Sequence, residues 1–526
     1  MYPVQPARLA RAIVPAVVLI TLAACKVGPD FKRPAASVAD QWIGEPAPAE
    51  GAPADTSAWW RAFSDSTLDT LIQEAYHNNL SLQIAGARVL QAQAQLQMAI
   101  GELFPQQQLL AGQIQQQHQS RGTLLPQLDP SLRTTELGLS ATWELDFWGK
   151  YRRGVEADRA AMLASLAAYD SALVSLTAGV ASAYVNIRTL QQRIQVAQEN
   201  IGTQRETLRI ARVQFENGET SELDVQQAQT QLAQTQAQVP GLENSLRTTK
   251  DSLAVLLGVT PDRIDALLGA DTQIPTAPAG VITGMPRDLL RRRPDVRQAE
   301  LAAAAQSAGI GVAKANLWPA FSLAGSFGFA TSTLGGSSGS NLFTWDNRAS
   351  AASASFVLPI LNYGRIINSV RVQDAVFQQA VLNYQNTVLQ AQQEVEDARS
   401  GFAAARATLT ELNAAALAAR RATELAIVRY KDGASDYTTV LSAESLQLQI
   451  EDALASARGA VPLSLVGVYR ALGGGWQLRA GQNLLPDPVR SEMKQRTYWG
   501  HLPDSGAGLP WPEEEPLPER GSPDAH

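Results

Sequence analysis

Between Lys150 and Glu216, and again between Arg365 and Lys431, the chain holds no proline, and apolar residues recur every seven positions. The first series runs Leu166, Leu173, Val180, Ile187, Ile194, Ile201, Leu208 and Phe215. Three residues after these stand Tyr169, Leu176, Ala183, Leu190, Ala197 and Ala211, with Gln204 as the exception. The second series runs Val381, Val388, Val395, Phe402, Leu409, Ala416, Thr423 and Tyr430, accompanied by Tyr384, Ala391, Ala398, Ala405, Leu412, Ala419 and Ala426. A strict seven-residue repeat keeps one seam facing a partner when helices supercoil at 3.5 residues per turn. The alanines let neighbouring helices come close. At 1.5 Å per residue each stretch spans about 100 Å, and an ordinary globular helix has only about a dozen residues. Asn217-Gly218 and Asp432-Gly433 then reverse the chain, because glycine reaches positive φ beyond a helix end. Returning helices are predicted to about Gly258 and Gly473, with Pro240-Gly241 bending the first.

The period changes to two in residues 105–146 and 319–360. Leu137, Leu139, Ala141, Trp143 and Leu145 alternate with Glu136, Ser140, Thr142, Glu144 and Asp146. Phe321, Leu323, Phe327 and Phe329 alternate with Ser322, Ala324, Ser326 and Gly328. Strands of about ten residues with one apolar and one polar face, separated by Gly- and Ser-containing loops, fit an outer-membrane barrel. A soluble sandwich that buries the apolar face fits the alternation as well. Trp143, Trp148, Trp318 and Trp345 stand near strand ends, where interfacial belts collect tryptophan. Four strands cannot close a barrel, so a barrel requires several chains to share one wall. Ahead of each strand pair lies a helix, about Leu80 to Leu103 and about Asp295 to Leu317, stopped by Phe104-Pro105 and Trp318-Pro319.

These elements occur twice. Gly149-Lys150 recurs as Gly364-Arg365 (364 − 149 = 215), and Gly218 recurs as Gly433 at the same offset. The pattern is that of an internal tandem duplication, with halves at residues 77–290 and 291–476.

Composition narrows the function. Charged residues make up 18% of the 526 and the net charge is -7, so there is no concentrated basic surface for nucleic acid. His77, His118, His501 and His526 are scattered without metal-ligand spacing. No nucleophile–base pair is visible, and the chain reads as a non-enzyme. Arg8 and Arg11 precede an apolar run ending Leu22-Ala23-Ala24-Cys25, a signal peptide over 1–24 with a lipobox. Cys25, the single cysteine, is the expected acceptor of a diacylglycerol thioether and an N-acyl chain, with no other cofactor. Residues 25–76 read as a lipid-anchored N-terminal segment, an extended tether over 35–57. No later segment reads as a membrane-spanning helix. Residues 477–526, with Pro510, Glu513, Glu514, Glu515 and Pro518, read as a disordered tail.

Several motifs resemble the outer membrane factor (TolC-like) family, nearest to its NodT-type lipoprotein subgroup. They are Cys25-Lys26-Val27-Gly28-Pro29-Asp30-Phe31 with Pro34, Trp59-Trp60 with Phe63 and Leu68, Asn79-Leu80, Arg293-Pro294-Asp295-Val296-Arg297, and Leu472-Gly473-Gly474-Gly475-Trp476. The resemblance implies a mixed α and β membrane protein: a homotrimer with a 12-stranded transmembrane barrel continuous with a 12-helix periplasmic coiled-coil tunnel. It implies a passive efflux channel of the outer membrane, served by a periplasmic adaptor protein and an inner-membrane pump of the RND type. Phe215, Asn217, Gly218, Tyr430, Asp432 and Gly433 are then the adaptor-docking tips. Asp224 fits the family's aperture carboxylates, whereas Thr439 and Ser442 stand where many relatives carry Asp, with Asp436 and Glu444 nearby to compensate. A different class of function, a coiled-coil lipoprotein that spaces the envelope, leaves the alternating strands without a purpose.

Overall fold

A computed structural model of the chain describes residues 26–39, 42–43, 56–118, 120, 131–278, 292–333 and 341–504. The signal peptide, Cys25, most of the expected tether and residues 505–526 lie outside the described residues. By internal contact the chain divides into two units. One gathers the described residues up to Ala35 with Gln91–Ala164 and Ala299–Tyr384; the other gathers Ala36–Leu90, Ser165–Gln298 and the described residues from Gln385 on.

The first unit is built on an antiparallel sheet in the order β1-β2-β3-β4, with β1 Gln107–His118, β2 Ser131–Leu145, β3 Ala320–Ser332 and β4 Arg348–Val357. The helices α2 (Leu80–Gly101) and α6 (Pro294–Ala315) precede the two strand pairs and stop short of Phe104-Pro105 and Trp318-Pro319. Leu137 faces Phe329, Leu139 faces Phe327, and Trp143 faces Leu323 across the register.

In the same unit the N-terminal segment is docked. Arg153, near the start of α3 (Lys150–Glu216), is 1% exposed. It donates to the Val27 and Gly28 carbonyls at 3.2 Å and to Asp30 and Glu156 at 2.8 and 2.9 Å. Gly28 lies so close to Gly311 of α6 that a Cβ would fall 2.5 Å from its Cα. Arg33 makes a bidentate pair with Glu300 at 2.7 Å.

The second unit holds most of α3, α4 (Glu222–Leu257), α5 (Ile264–Leu268), most of α7 (Arg365–Lys431), α8 (Tyr437–Ala471), α9 (Asp487–Arg496) and α1 (Ser66–Asn78). The two long helices have 67 residues each. Most of their seven-residue series is buried: Leu173, Val180, Ile187 and Val395 fully, as is Ala391 of the companion row, whereas Phe215 at the tip is exposed. α4 runs through Pro240 and α8 through Pro462 without a break. α3 also contains one stretch long and apolar enough to cross a membrane, which the sequence reading missed. Two-thirds of that stretch (67%) is buried inside the protein, as in a core helix.

Two expectations need correction. Residues 37–39 and 42–43 are not a free tether: Ser37, Ala39 and Ile43 hydrogen-bond Gln392 and Glu396 of α7, and Trp42 is buried. Nor are residues 477–504 a disordered tail. Arg479, Leu484 and Leu485 are buried, and α9 follows. Arg479 also forms an ion pair with Asp170 of α3, 309 residues away.

Candidate functional site: a two-faced sheet and two hairpin tips

The register sorts the sheet into two unlike faces. Leu110, Leu139 and Phe327 lie in a row on one face, as do Leu145, Phe321 and Phe356. Leu110, Leu139, Leu323, Phe327 and Phe356 are all exposed, and so are Phe343 and Trp345 before β4. The other face carries Gln113, Gln115, Glu136, Ser140, Ser322, Ser326, Ser353 and Ser355, with Leu109, Leu132 and Val357 as apolar exceptions. A soluble protein seldom exposes an apolar patch of this kind, and an outward apolar band with a polar reverse is what a lipid-facing wall needs. β1 and β4 each pair on one side only among the described residues. At the foot of the sheet Trp148 stacks on Trp318 at 4.9 Å and donates to the Pro319 carbonyl at 2.8 Å. A cavity of about 400 Å³ opens there, with Glu144, Lys150, Trp318 and Arg365 in its lining.

The hairpin tips close with the same geometry. Gly218 has φ +76° and Gly433 +65°. Gly218 N–H donates to Phe215 and Glu219 N–H to Gln214; Gly433 donates to Tyr430 and Ala434 to Arg429. This doubled pattern satisfies the last carbonyls of each long helix. Phe215, Asn217, Asp432 and Gly433 are exposed, as a docking surface requires. Tyr430 departs from the expectation. Its ring is 4% exposed, set 5.4 Å from the Tyr437 ring, and its carbonyl accepts from Gln214 at 3.1 Å. A ring held in that core is unavailable to a docked partner.

The expected aperture residues do not form one set. Asp224 is half-buried in the first turn of α4 and accepts from Thr220 and Ser221. Asp436, Thr439 and Ser442 are exposed, Ser442 donating to the Thr438 carbonyl at 2.8 Å. Glu444 cannot supplement them at a surface, because it is 2% exposed. Sequence reasoning missed the Arg153 clamp and the Arg479–Asp170 pair. It also missed α1, although Asp65 caps that helix through Leu68 N–H at 3.0 Å and Leu68, Leu71, Ile72 and Ala75 follow at helical spacing.

A sheet with a lipid-ready face, joined in one chain to two 67-residue helices, defines a membrane-wall protein with long α-helical hairpins. Residues 71–259 and 285–474 each match the family described as outer membrane efflux protein. Nodulation protein T of Rhizobium leguminosarum bv. viciae is 32% identical over 455 residues, covering 86% of this chain and 90% of that one. The pyoverdine export outer membrane protein OpmQ of Pseudomonas putida is 31% identical over 426 residues, covering 80% and 88%. The solved structure of the outer-membrane channel OprN superposes with a TM-score of 0.79 at 32% identity, over 86% of this chain and all (100%) of the other. The chain belongs to the outer membrane efflux protein family, and its place is the outer membrane, with the channel extending into the periplasm.

Proposed function

We propose that three copies join edge to edge, β1 of one beside β4 of the next, into a 12-stranded barrel continuous with a 12-helix periplasmic tunnel. In a four-stranded meander β1 and β4 run in opposite directions, so each junction between copies is again antiparallel and the wall closes. The observation that carries this reading is the sheet with one apolar face, one polar face and two edges unpaired among the described residues. The twofold family match and the two 67-residue helices support a tandem duplication behind it. The conduit is passive: a periplasmic adaptor meets the exposed tips at Phe215, Asn217, Gly218, Asp432 and Gly433, and an inner-membrane pump of the RND type delivers the cargo. Cys25 carries the diacylglycerol and N-acyl chains that tether the chain to outer-membrane lipid.

Light scattering of the purified protein in detergent should give three copies, planar bilayers should show ion conductance, and intact mass should include the acyl chains on Cys25. A monomer that stays soluble without detergent once the lipid is removed would refute the conduit. The cargo is set by the pump, and profiling a deletion strain against drugs, metals and organic acids reads it out.

A further inference from the structure

The apolar core of the second unit is interrupted. Next to the tips, Leu208, Ala211, Val225, Tyr430, Tyr437 and Val440 form one cluster. Leu173, Ile187, Phe402 and Leu465 belong to a second, larger one. At the inner part of the tip-side cluster, whose α3 members begin at Ile201, the buried seam turns polar, with Gln204 and Thr207 on α3, Thr423 on α7, and Glu444 on α8.

Glu444 and Glu451 stand one heptad apart on α8, both buried, and they are held differently. Glu451 accepts from Asn200 at 2.8 Å and Gln447 at 3.0 Å, and pairs with Arg420. Glu444 has Thr207 alone, with 2.6 Å between Oγ1 and Oε1, and its Oε2 is buried without a partner. The Thr207 hydroxyl also lies 3.0 Å from the Thr203 carbonyl, and a hydroxyl has one proton to give. If that proton closes the bond to Thr203, only a protonated Glu444 can bridge to Thr207, as the donor. If it goes to Glu444, a carboxylate is left with a single donor in a dry seam, where an under-solvated charge is costly. Both branches favour the neutral acid. In the same stretch of seam, Gln204 has its Nε2 and Oε1 buried without partners.

We infer that Glu444 is a proton-operated latch between the two hairpins: protonated, it lets α8 close on α3, and ionised, it opens the polar belt to water and frees the tip-side cluster to move, widening the duct. The latch rests on the conduit reading and adds its regulation. Burial raises the Glu444 carboxyl above its usual value, and the Thr207 bond offsets this only in part. A carboxyl raised in the packed state stabilises packing at low pH, and that stabilisation is lost as pH rises through the raised value. Among the described residues no cation acts on Glu444 to reverse the sign. On its own helix stands Tyr437, itself raised by burial and by Glu444; Tyr430 of α7 and Asp224 of α4 act on Tyr437 in turn. Arg420 of α7 is engaged by Glu451, and α3 turns Thr207 and Gln204 inward while Arg205 and Glu206 are exposed.

The test is conductance of the full protein in planar bilayers between about pH 5 and about pH 8, wild type against Glu444→Gln. Near the latch's midpoint each pH unit favours the open form up to about tenfold, so wild-type conductance should climb with pH. Gln is neutral throughout and still donates to Thr207, so the variant should stay at the acid level. Amide exchange on the wild type, which needs no variant to fold, should show protection lost with rising pH in residues 200–210 and 437–447 and kept in 166–187. A conductance that ignores pH, a variant that titrates like wild type, or exchange that changes equally in all three segments overturns the latch. Absence of conductance at every pH in both proteins would instead refute the conduit, with exchange still deciding the latch.

Discussion

Arg479 and Asp170 offer the sharpest measure of how the segment after α8 is held. Arg479 donates through Nε and Nη2 to both Asp170 oxygens, and the two side chains are 4% and 3% exposed. The Trp476 ring lies 5.8 Å from the guanidinium. At such burial solvent screening gives no discount, and removing one partner strands a charge at a cost of about 3–5 kcal/mol. Replacing both ions by apolar residues of similar size is neutral or mildly stabilising in comparable sites. Asp170→Asn and Arg479→Met should therefore each loosen residues 476–504 by about 3–5 kcal/mol, while Asp170→Leu with Arg479→Met returns to within about 2 kcal/mol of wild type. Proteolysis of the native protein within 480–504 reads the opening equilibrium when closing outruns cleavage. Each about 1.4 kcal/mol is tenfold, so the single variants should be cut roughly a hundredfold to a few thousandfold faster. The reasoning fails if a single variant is cut less than about fivefold faster, or if the double variant is as labile as either parent.

Gly218→Ala and Gly433→Ala should each cost about 1 kcal/mol, because a Cβ meets nothing within 4 Å at either tip and only the left-handed φ is penalised; amide exchange in the last turns of α3 and α7 measures it. Arg153→Ala should release residues 26–33, opening the peptide bonds after Lys26 and Lys32 to trypsin, and Arg153→Lys should fail to restore protection, since an ammonium cannot span two carbonyls and two carboxylates as a guanidinium fork does. On the sheet, Leu139→Arg should impair insertion by about 2–4 kcal/mol, whereas Ser140→Arg, one residue on and on the other face, should be tolerated; heat-modifiability on gels compares them, and equal effects would remove the assignment of faces.

The long helices could be read because their evidence is local. A seven-residue spacing, an absence of proline and a terminal glycine fix the element and its seam, and most of the positions so marked are buried. The strands were legible for the same reason at period two. What stayed hidden depends on partners far along the chain. Arg153 binds the carbonyls of Val27 and Gly28, and a backbone carbonyl carries no side-chain signature. Residues 477–504 look like a tail because glycine and proline punctuate them, yet Arg479 reaches Asp170, and Leu484 and Leu485 are buried. Tyr430 shows the limit within a helix: proximity to the tip glycine suggested a surface role, yet its ring packs on Tyr437, while Phe215 at the equivalent place in the first series is exposed.

The two hairpins match in length and turn geometry but not in what their returning helices bury. At the offset of 215, Glu444 and Glu451 of α8 stand against Gln229 and Gln236 of α4 (444 − 215 = 229; 451 − 215 = 236). The glutamines are exposed and the glutamates buried, so equivalent positions face opposite environments. An exposed glutamine is neutral in its consequences, because water satisfies it in any arrangement of the hairpin. A buried carboxylate is not, because its charge is tolerated only where donors or water reach it. Duplication thus supplies two similar rods, and the divergence of one seam concentrates the conditional contact in α8. Motion at the tips should accordingly begin with α8 leaving α3, while α4, which carries no buried acid at the corresponding positions, stays packed.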